Sequence, residues 1–348
     1  MRKFDYNFLK NRTWDNEILS YVAKIHEYKG KQEFYIRSKP VELERLIEIA
    51  KVQSTEASNR IEGIITTRSR LQQLMKDKTT PKNRDEEEIL GYRNVLNLIH
   101  TNYEYIPFQS NYILQLHRDL LKYTEHSYGG KYKTTPNEID AVLPNGEKIM
   151  LFKPLDPYET PEAIESICHS YQIALEEEFV DPLILIPCVI LDFLCVHPFS
   201  DGNGRMSRLL TLLLLYKNDY VIGKYISIEK EIADTKESYY QALSLSDDRW
   251  RIDENDPKPF IKYMLGIILK CYREFEKRLT ISEKSGAKST AYDIVKNFAL
   301  DTIGTFTKRD VMESCPSLGS SSVELALKKL VEDKTIKRIG KGRASKYV

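Results

Sequence analysis

Two strongly apolar stretches, residues 183–196 and 209–215, bracket a polar insert of twelve residues: His197-Pro198-Phe199-Ser200-Asp201-Gly202-Asn203-Gly204-Arg205-Met206-Ser207-Arg208. Stretches this apolar fold most simply as buried helices, so the insert falls at a helix–loop–helix junction near the core. Gly202-Asn203-Gly204 can take the positive φ angles that turn backbone N–H groups inward. Such a cup at a helix start attracts phosphate, because unpaired donors and the helix dipole act together. Arg205 and Arg208, three apart, share nearly one face and can fork onto further phosphate oxygens. Asp201 offers one hard carboxylate, which suits Mg²⁺ shared with a polyphosphate. His197 brings a ring that titrates near neutral pH. The set reads as base, metal ligand, phosphate cup and charge clamp.

The same twelve residues resemble the HPFx(D/E)GNGRxxR signature of the Fic family at every defined position. The resemblance implies a mainly α chain, with a Fic-fold helical core and a β-hairpin flap. It implies protein adenylylation, the transfer of AMP from ATP to a Ser, Thr or Tyr hydroxyl of a target protein or of the enzyme itself. By resemblance, His197 is the general base and Asp201 holds Mg²⁺ or Mn²⁺. Gly202, Asn203 and Gly204 cradle the α-phosphate, with Met206 and Ser207 in the same nucleotide-binding turn. Arg205 meets the β-phosphate and Arg208 the γ-phosphate, while Phe199 anchors the loop.

From Pro40 a helical pattern places Leu43, Leu46, Ile47, Ala50 and Val52 on one face and runs to Glu62, with Gly63 as its stop. Ser58 and Glu62, four apart, share a face. The segment Ser58-Asn59-Arg60-Ile61-Glu62-Gly63 resembles the family's inhibitory motif, (S/T)xxxE(G/N), N-terminal to the core. That resemblance implies that Glu62 pairs with Arg208 and removes the partner of the ATP γ-phosphate. It also leaves open a reverse reaction, in which Glu62 aligns a water that removes AMP.

Elsewhere the pattern predicts short strands near Phe34-Tyr35-Ile36, then helices over residues 66–76 and 85–100 and one capped by Ser110. His117 reads as a packed or surface histidine. Residues 140–143 and 148–151 flank Pro144-Asn145-Gly146-Glu147, a hairpin signal. In the family, a flap here (138–151) holds the target segment by strand addition. Lys133 stands where the family usually has Arg. Thr160-Pro161 and Asp181-Pro182 read as helix starts. A helix from about Asp234 carries Tyr239 and Tyr240, which resemble the tyrosines lining the adenine side in relatives. Asp256-Pro257 opens the last core helix, to about Lys277.

Residues 281–288 read as a linker to three helices and a small wing, a winged-helix domain with residues 320–329 as its recognition helix. Lys328, Lys329, Lys337, Arg338, Lys341, Arg343 and Lys346 give a mild basic bias, yet Ser320, Ser321, Ser322 and Glu324 are poor base readers. Protein contact and DNA contact both remain open. The expected organisation is an N-terminal helical region (1–100) with the inhibitory helix, a Fic core (101–280) and the winged helix (286–348), with a homodimer open.

Net charge is +1, which argues against whole-chain binding to nucleic acid or membrane. Five cysteines without CxxC spacing, and an N-terminus without an apolar h-region, fit a reducing cytoplasm. The apolar stretches are too broken for a membrane span. Two other readings stand beside adenylylation: a Fic enzyme using another nucleotide donor, and a DNA-binding transcriptional regulator with a nucleotide-sensing core.

Overall fold

The computed structural model describes residues 2–38, 40–126, 128–142, 148–284, 290–302, 305–315, 317–340, 342 and 345–348. The chain is mainly α. Helices α1 (Asn16–Ser38), α2 (Pro40–Ile61), α3 (Arg68–Met75), α4 (Arg84–Asn102) and α5 (Ser110–Leu120) precede a hairpin, β1 (Ile139–Val142) and β2 (Lys148–Phe152). There follow α6 (Thr160–Glu176), α7 (Pro182–Val196), α8 (Asn203–Lys217), α9 (Ile228–Asp234), α10 (Lys236–Asp247) and α11 (Lys258–Lys284).

The two apolar stretches are α7 and α8, which pack on each other at the centre. Every residue of α8 from Arg205 to Tyr216 is buried. Asp181 caps α7, its carboxylate accepting from the amide of Leu183 at 2.8 Å, and Pro182 follows. One hydrophobic core runs from Tyr6 to Leu279, so the N-terminal helices complete the core rather than stand apart from it.

Several local expectations are corrected. Phe34-Tyr35-Ile36 lie inside α1, not in strands. Ile18, Ile25 and Gln32 recur every second turn and are buried, and α1 packs on α11. Burial of that stripe outweighs the local β preference of aromatic and branched residues. Ser110 is the first residue of α5 and not its cap; its hydroxyl bonds to that of Tyr132 at 2.8 Å. Thr160 likewise opens α6 behind Glu159 and bonds back to the carbonyl of Asp156. The helix expected from about Asp234 is α10, the short α9 ahead of it is unexpected, and α11 continues past Lys277 to Lys284.

The hairpin pairs β1 with β2 antiparallel, with Ala141 opposite Ile149. Its Pro144-Asn145-Gly146-Glu147 turn lies outside the described residues, as do residues 285–288 of the expected linker. The C-terminal part has its own core and consists of α12 (Ala291–Asp301), β3 (Phe306–Thr307), α13 (Lys308–Ser314), α14 (Ser320–Glu332), β4 (Arg338–Ile339) and β5 (Lys346–Tyr347). Its sheet has the order β3-β5-β4. Lys341 and Arg343 lie outside the described residues. Among the described residues no helix is long and apolar enough to cross a membrane.

Candidate active site

The α7–α8 junction is held by side chains from three directions. Lys133 donates its amide to the carbonyl of Pro198 (2.9 Å) and its ammonium to that of Val196 (3.0 Å). Asn137 donates to the carbonyls of His197 (3.3 Å) and Phe199 (3.1 Å). Asn203 closes a ring with Phe199, accepting from its amide at 2.9 Å and donating to its carbonyl at 2.7 Å. Each carbonyl from Val196 to Phe199 therefore has a donor, and the loop has one shape. Burial pushes the Lys133 ammonium down to about 8. Phe199 is fully buried beneath the loop. The His117 ring stacks on it with centroids 3.7 Å apart.

His117 is a brace. Its Nδ1 accepts from the amide of Gly130 at 3.1 Å, which fixes the proton on Nε2, and Nε2 then donates to the carbonyl of Asp201 at 3.0 Å. Burial lowers its pKa to about 4, so the ring is neutral. One buried ring thus holds the loop from below, at Phe199, and at the Asp201 carbonyl. No sequence pattern marks this role, because the partners are backbone atoms of distant segments.

His197 caps α7 in the left-handed conformation, at φ 50° and ψ 62°. A side chain there costs about 1 kcal/mol, and tight packing of the loop holds it. Nδ1 lies 3.2 Å from the carbonyl of Leu194 and donates to it, which leaves the Nε2 lone pair free. The ring is half-buried, and that burial lowers its pKa to about 4. It is a neutral acceptor at ordinary pH.

Gly202 sits at φ 83°, and α8 starts behind it. The first helical bond runs from the amide of Met206 to the carbonyl of Gly202 at 2.8 Å. The amides of Asn203, Gly204 and Arg205 precede that bond and are the unpaired donors of the helix start. Met206 and Ser207 do not belong to the cup. The Met206 side chain is fully buried in the core and its amide is engaged, while the Ser207 hydroxyl donates to the carbonyl of Gly204 at 2.8 Å.

Arg205 is buried, 1% exposed, and pairs with Glu88 of α4 at 2.6 Å. Glu88 also takes the guanidinium of Arg84 at 2.7 Å. Sequence reasoning missed Glu88, one acid among three in the row Glu86-Glu87-Glu88. Asp201 is more open; it accepts the amide of Gly202 at 2.6 Å and lies 3.4 Å from both Arg84 and Arg205. Glu88, His126 and Asp201 each bring a ligand atom within 4.8 Å of one another. Both Glu88 oxygens already meet guanidinium groups, so Asp201 is the carboxylate that fits a hard cation.

Glu62 lies just beyond the end of α2. Its amide donates to the carbonyl of Asn59 (3.0 Å), Gly63 follows at φ 82°, and Lys236 donates to the Ile61 carbonyl at 2.7 Å. The Glu62 carboxylate meets Arg208 at 2.7 Å. Arg208 also donates from Nε to the Ser58 hydroxyl (2.8 Å) and from Nη2 to the Ser58 carbonyl (3.0 Å). Glu62 also sits against Gly204, inside the space a Cβ there would need. Tyr239 is buried, Tyr240 is exposed, and both rings lie in the field of Glu62 and Arg208. Tyr239 packs on Phe260 and Tyr263, whereas Tyr240 meets Tyr239 and lies under the Lys236 ammonium but is the more exposed ring.

Residues 107–215 match the model of the Fic/DOC family. A protein adenylyltransferase Fic of Nematostella vectensis is 23% identical over 267 residues, covering 73% of this chain and 55% of the relative. Protein adenylyltransferase fic-1 of Caenorhabditis elegans is 24% identical over 220 residues, covering 62% and 36%. The chain thus spans about half or less of the length of these curated relatives. A Fic family protein from Desulfovibrio desulfuricans G20 superposes with a TM-score of 0.63 at 20% identity, over 97% of this chain and 96% of that one. The solved Fic-1 fragment (aa134–508) from C. elegans gives 0.61 at 18% identity, over 76% and 74%. The fold is that of the Fic structures, and residues 107–215 carry the match to the Fic/DOC family.

Proposed function

We propose that this chain, built around its Fic/DOC domain, is a protein adenylyltransferase held in check by Glu62. The observation that carries the reading is the arrangement around α8. A neutral imidazole with a free Nε2, three open amides and two buried guanidinium groups converge on one helix start. The curated relatives' names point the same way.

In this reading the target hydroxyl gives its proton to His197 Nε2 as its oxygen attacks the α-phosphorus of ATP. The bond from that phosphorus to the β-bridging oxygen breaks, and pyrophosphate leaves. A base so placed contributes about 10²–10⁴-fold. The amides of Asn203, Gly204 and Arg205 receive the phosphate charge, where preorganised donors act most strongly. Arg205 faces the β-phosphate from its seat on Glu88, and Arg208 the γ-phosphate. Asp201 would hold Mg²⁺ or Mn²⁺, which when bound neutralises phosphate charge. Tyr240 offers a face to the base, and the 138–151 hairpin offers a strand edge to the target segment.

Glu62 opposes this. Its carboxylate sits beside the cup and on Arg208, so nucleotide and Glu62 compete for one cation and one space. Incubating wild type and Glu62→Gly with α-labelled ATP tests the whole reading. Self-labelling that depends on His197 and rises with Glu62→Gly is expected; no labelling of either protein overturns it. Competition by other unlabelled nucleotides checks the donor, and following labelled protein over time checks the reverse reaction.

Residues 286–348 form a winged-helix unit that contacts protein in this reading. The outward face of α14 shows Ser320, Ser321, Glu324, Leu325, Lys328 and Lys329, and Leu325 is 70% exposed. An apolar side chain amid that face suits a protein partner better than phosphates. A salt-sensitive DNA shift would instead restore the regulator reading.

A further inference from the structure

Glu229, on the first turn of α9, is 1% exposed, and among the described residues it makes no ion pair. Hydroxyls hold it instead. Tyr92 of α4 donates to Oε1 at 3.0 Å, and Ser54 of α2 and Ser227 donate to Oε2 at 2.7 and 3.2 Å. A carboxylate buried without a cation depends on its donors, and each lost donor leaves charge unsatisfied. The three donors come from α2, α4 and the cap of α9, so Glu229 ties α2 to the core.

Ser54 is one helical turn before Ser58 and two before Glu62, on the same face. Ser58 holds Arg208, and the Tyr92 hydroxyl lies beside both. Slippage of α2 by one residue turns its side chains by about 100°. Such a turn would carry Glu62 off both Arg208 and Gly204. We propose that Glu229 is a positioning residue for the inhibition: through Ser54 it fixes the rotation and depth of α2 that seat Glu62 on Arg208. The proposal rests on Glu62 being the inhibitory group.

The test compares Ser54→Ala and Glu229→Gln, each alone and combined with Glu62→Gly, by initial rates of self-labelling with α-labelled ATP and by melting temperature. Each single variant is expected to raise labelling on the order of five- to tenfold, as a lost charge-assisted bond shifts the population off the inhibited state. In the Glu62→Gly background the same substitutions are expected to change labelling less than about twofold. A merely structural role would lower labelling in both backgrounds along with the melting temperature, and that result overturns the proposal. So does the absence of any rise from either variant when Glu62→Gly alone raises labelling. If Glu62→Gly itself leaves labelling unchanged, the inhibitory reading of Glu62 fails first and separately.

Discussion

Glu62 and Gly204 pack so closely that a Cβ at position 204 would meet the tip of the Glu62 side chain, which would have to shift. In the proposed function the glycine would serve two occupants of one space, the Glu62 carboxylate and a phosphate of ATP. A methyl group at this position separates them experimentally.

Gly204→Ala is expected to destabilise the wild-type chain by up to about 1 kcal/mol, because the Glu62 tip must move and its pair with Arg208 is disturbed. In a Glu62→Gly background the penalty shrinks to well under half. Urea denaturation of the four proteins of this cycle measures the difference. Equal penalties in both backgrounds would show that the contact carries no energy.

His197→Ala is expected to lower AMP transfer by at least about 10²-fold. The melting temperature should barely move, since the ring makes one bond to a backbone carbonyl and the loop is held by Lys133, Asn137 and Asn203. Labelling at the wild-type rate would remove His197 from the reaction.

Glu88→Gln leaves the buried Arg205 guanidinium with only the longer contact to Asp201, at 3.4 Å, as counter-charge. Breaking a buried pair of this kind costs about 3–5 kcal/mol. Chemical denaturation should show a loss of that order, with nucleotide-dependent labelling falling as Arg205 loses its seat. A change under about 0.5 kcal/mol, the ordinary surface value, would mean that solvent reaches the pair.

Burial holds the pKa of His100 at about 3 and those of His117 and His197 at about 4, below the unfolded value near 6.5. Between those limits the unfolded chain binds more protons than the folded one, so stability rises with pH there. The melting temperature should fall as pH drops from about 7 toward about 4.5, and His100→Gln should make that fall shallower. An unchanged slope in His100→Gln would indicate that His100 is protonated in the folded state.

The site was legible where chemistry is contiguous in sequence. Residues 197–208 bring the helix-start amides, one histidine and the two arginines within one stretch, and Ser58 lies four residues before Glu62. Glu88, His117, Asn137 and Glu229 were not legible. Each is a single polar residue whose role comes from a partner far away in the chain, and in three of the four that partner includes backbone or a hydroxyl with no pattern of its own. Met206 and Ser207 went the other way. They lie in the signature, but helical geometry turns them from the cup into the packed interior. For the fold, α7 and α8 followed from their apolarity, whereas α1 was obscured by Phe34, Tyr35 and Ile36, whose local preference its buried stripe overrides.

The Glu62 carboxylate hangs from the chain one residue past the last helical turn of α2, with Lys236 pinning the carbonyl just before it. A tether that short has almost no slack. Under the proposed inhibition, uncovering the cup takes no swinging lid and no parting of lobes; unwinding or rotating a single turn is travel enough. Any switch acting here can accordingly be small, fast and nearly invisible in the outline of the molecule.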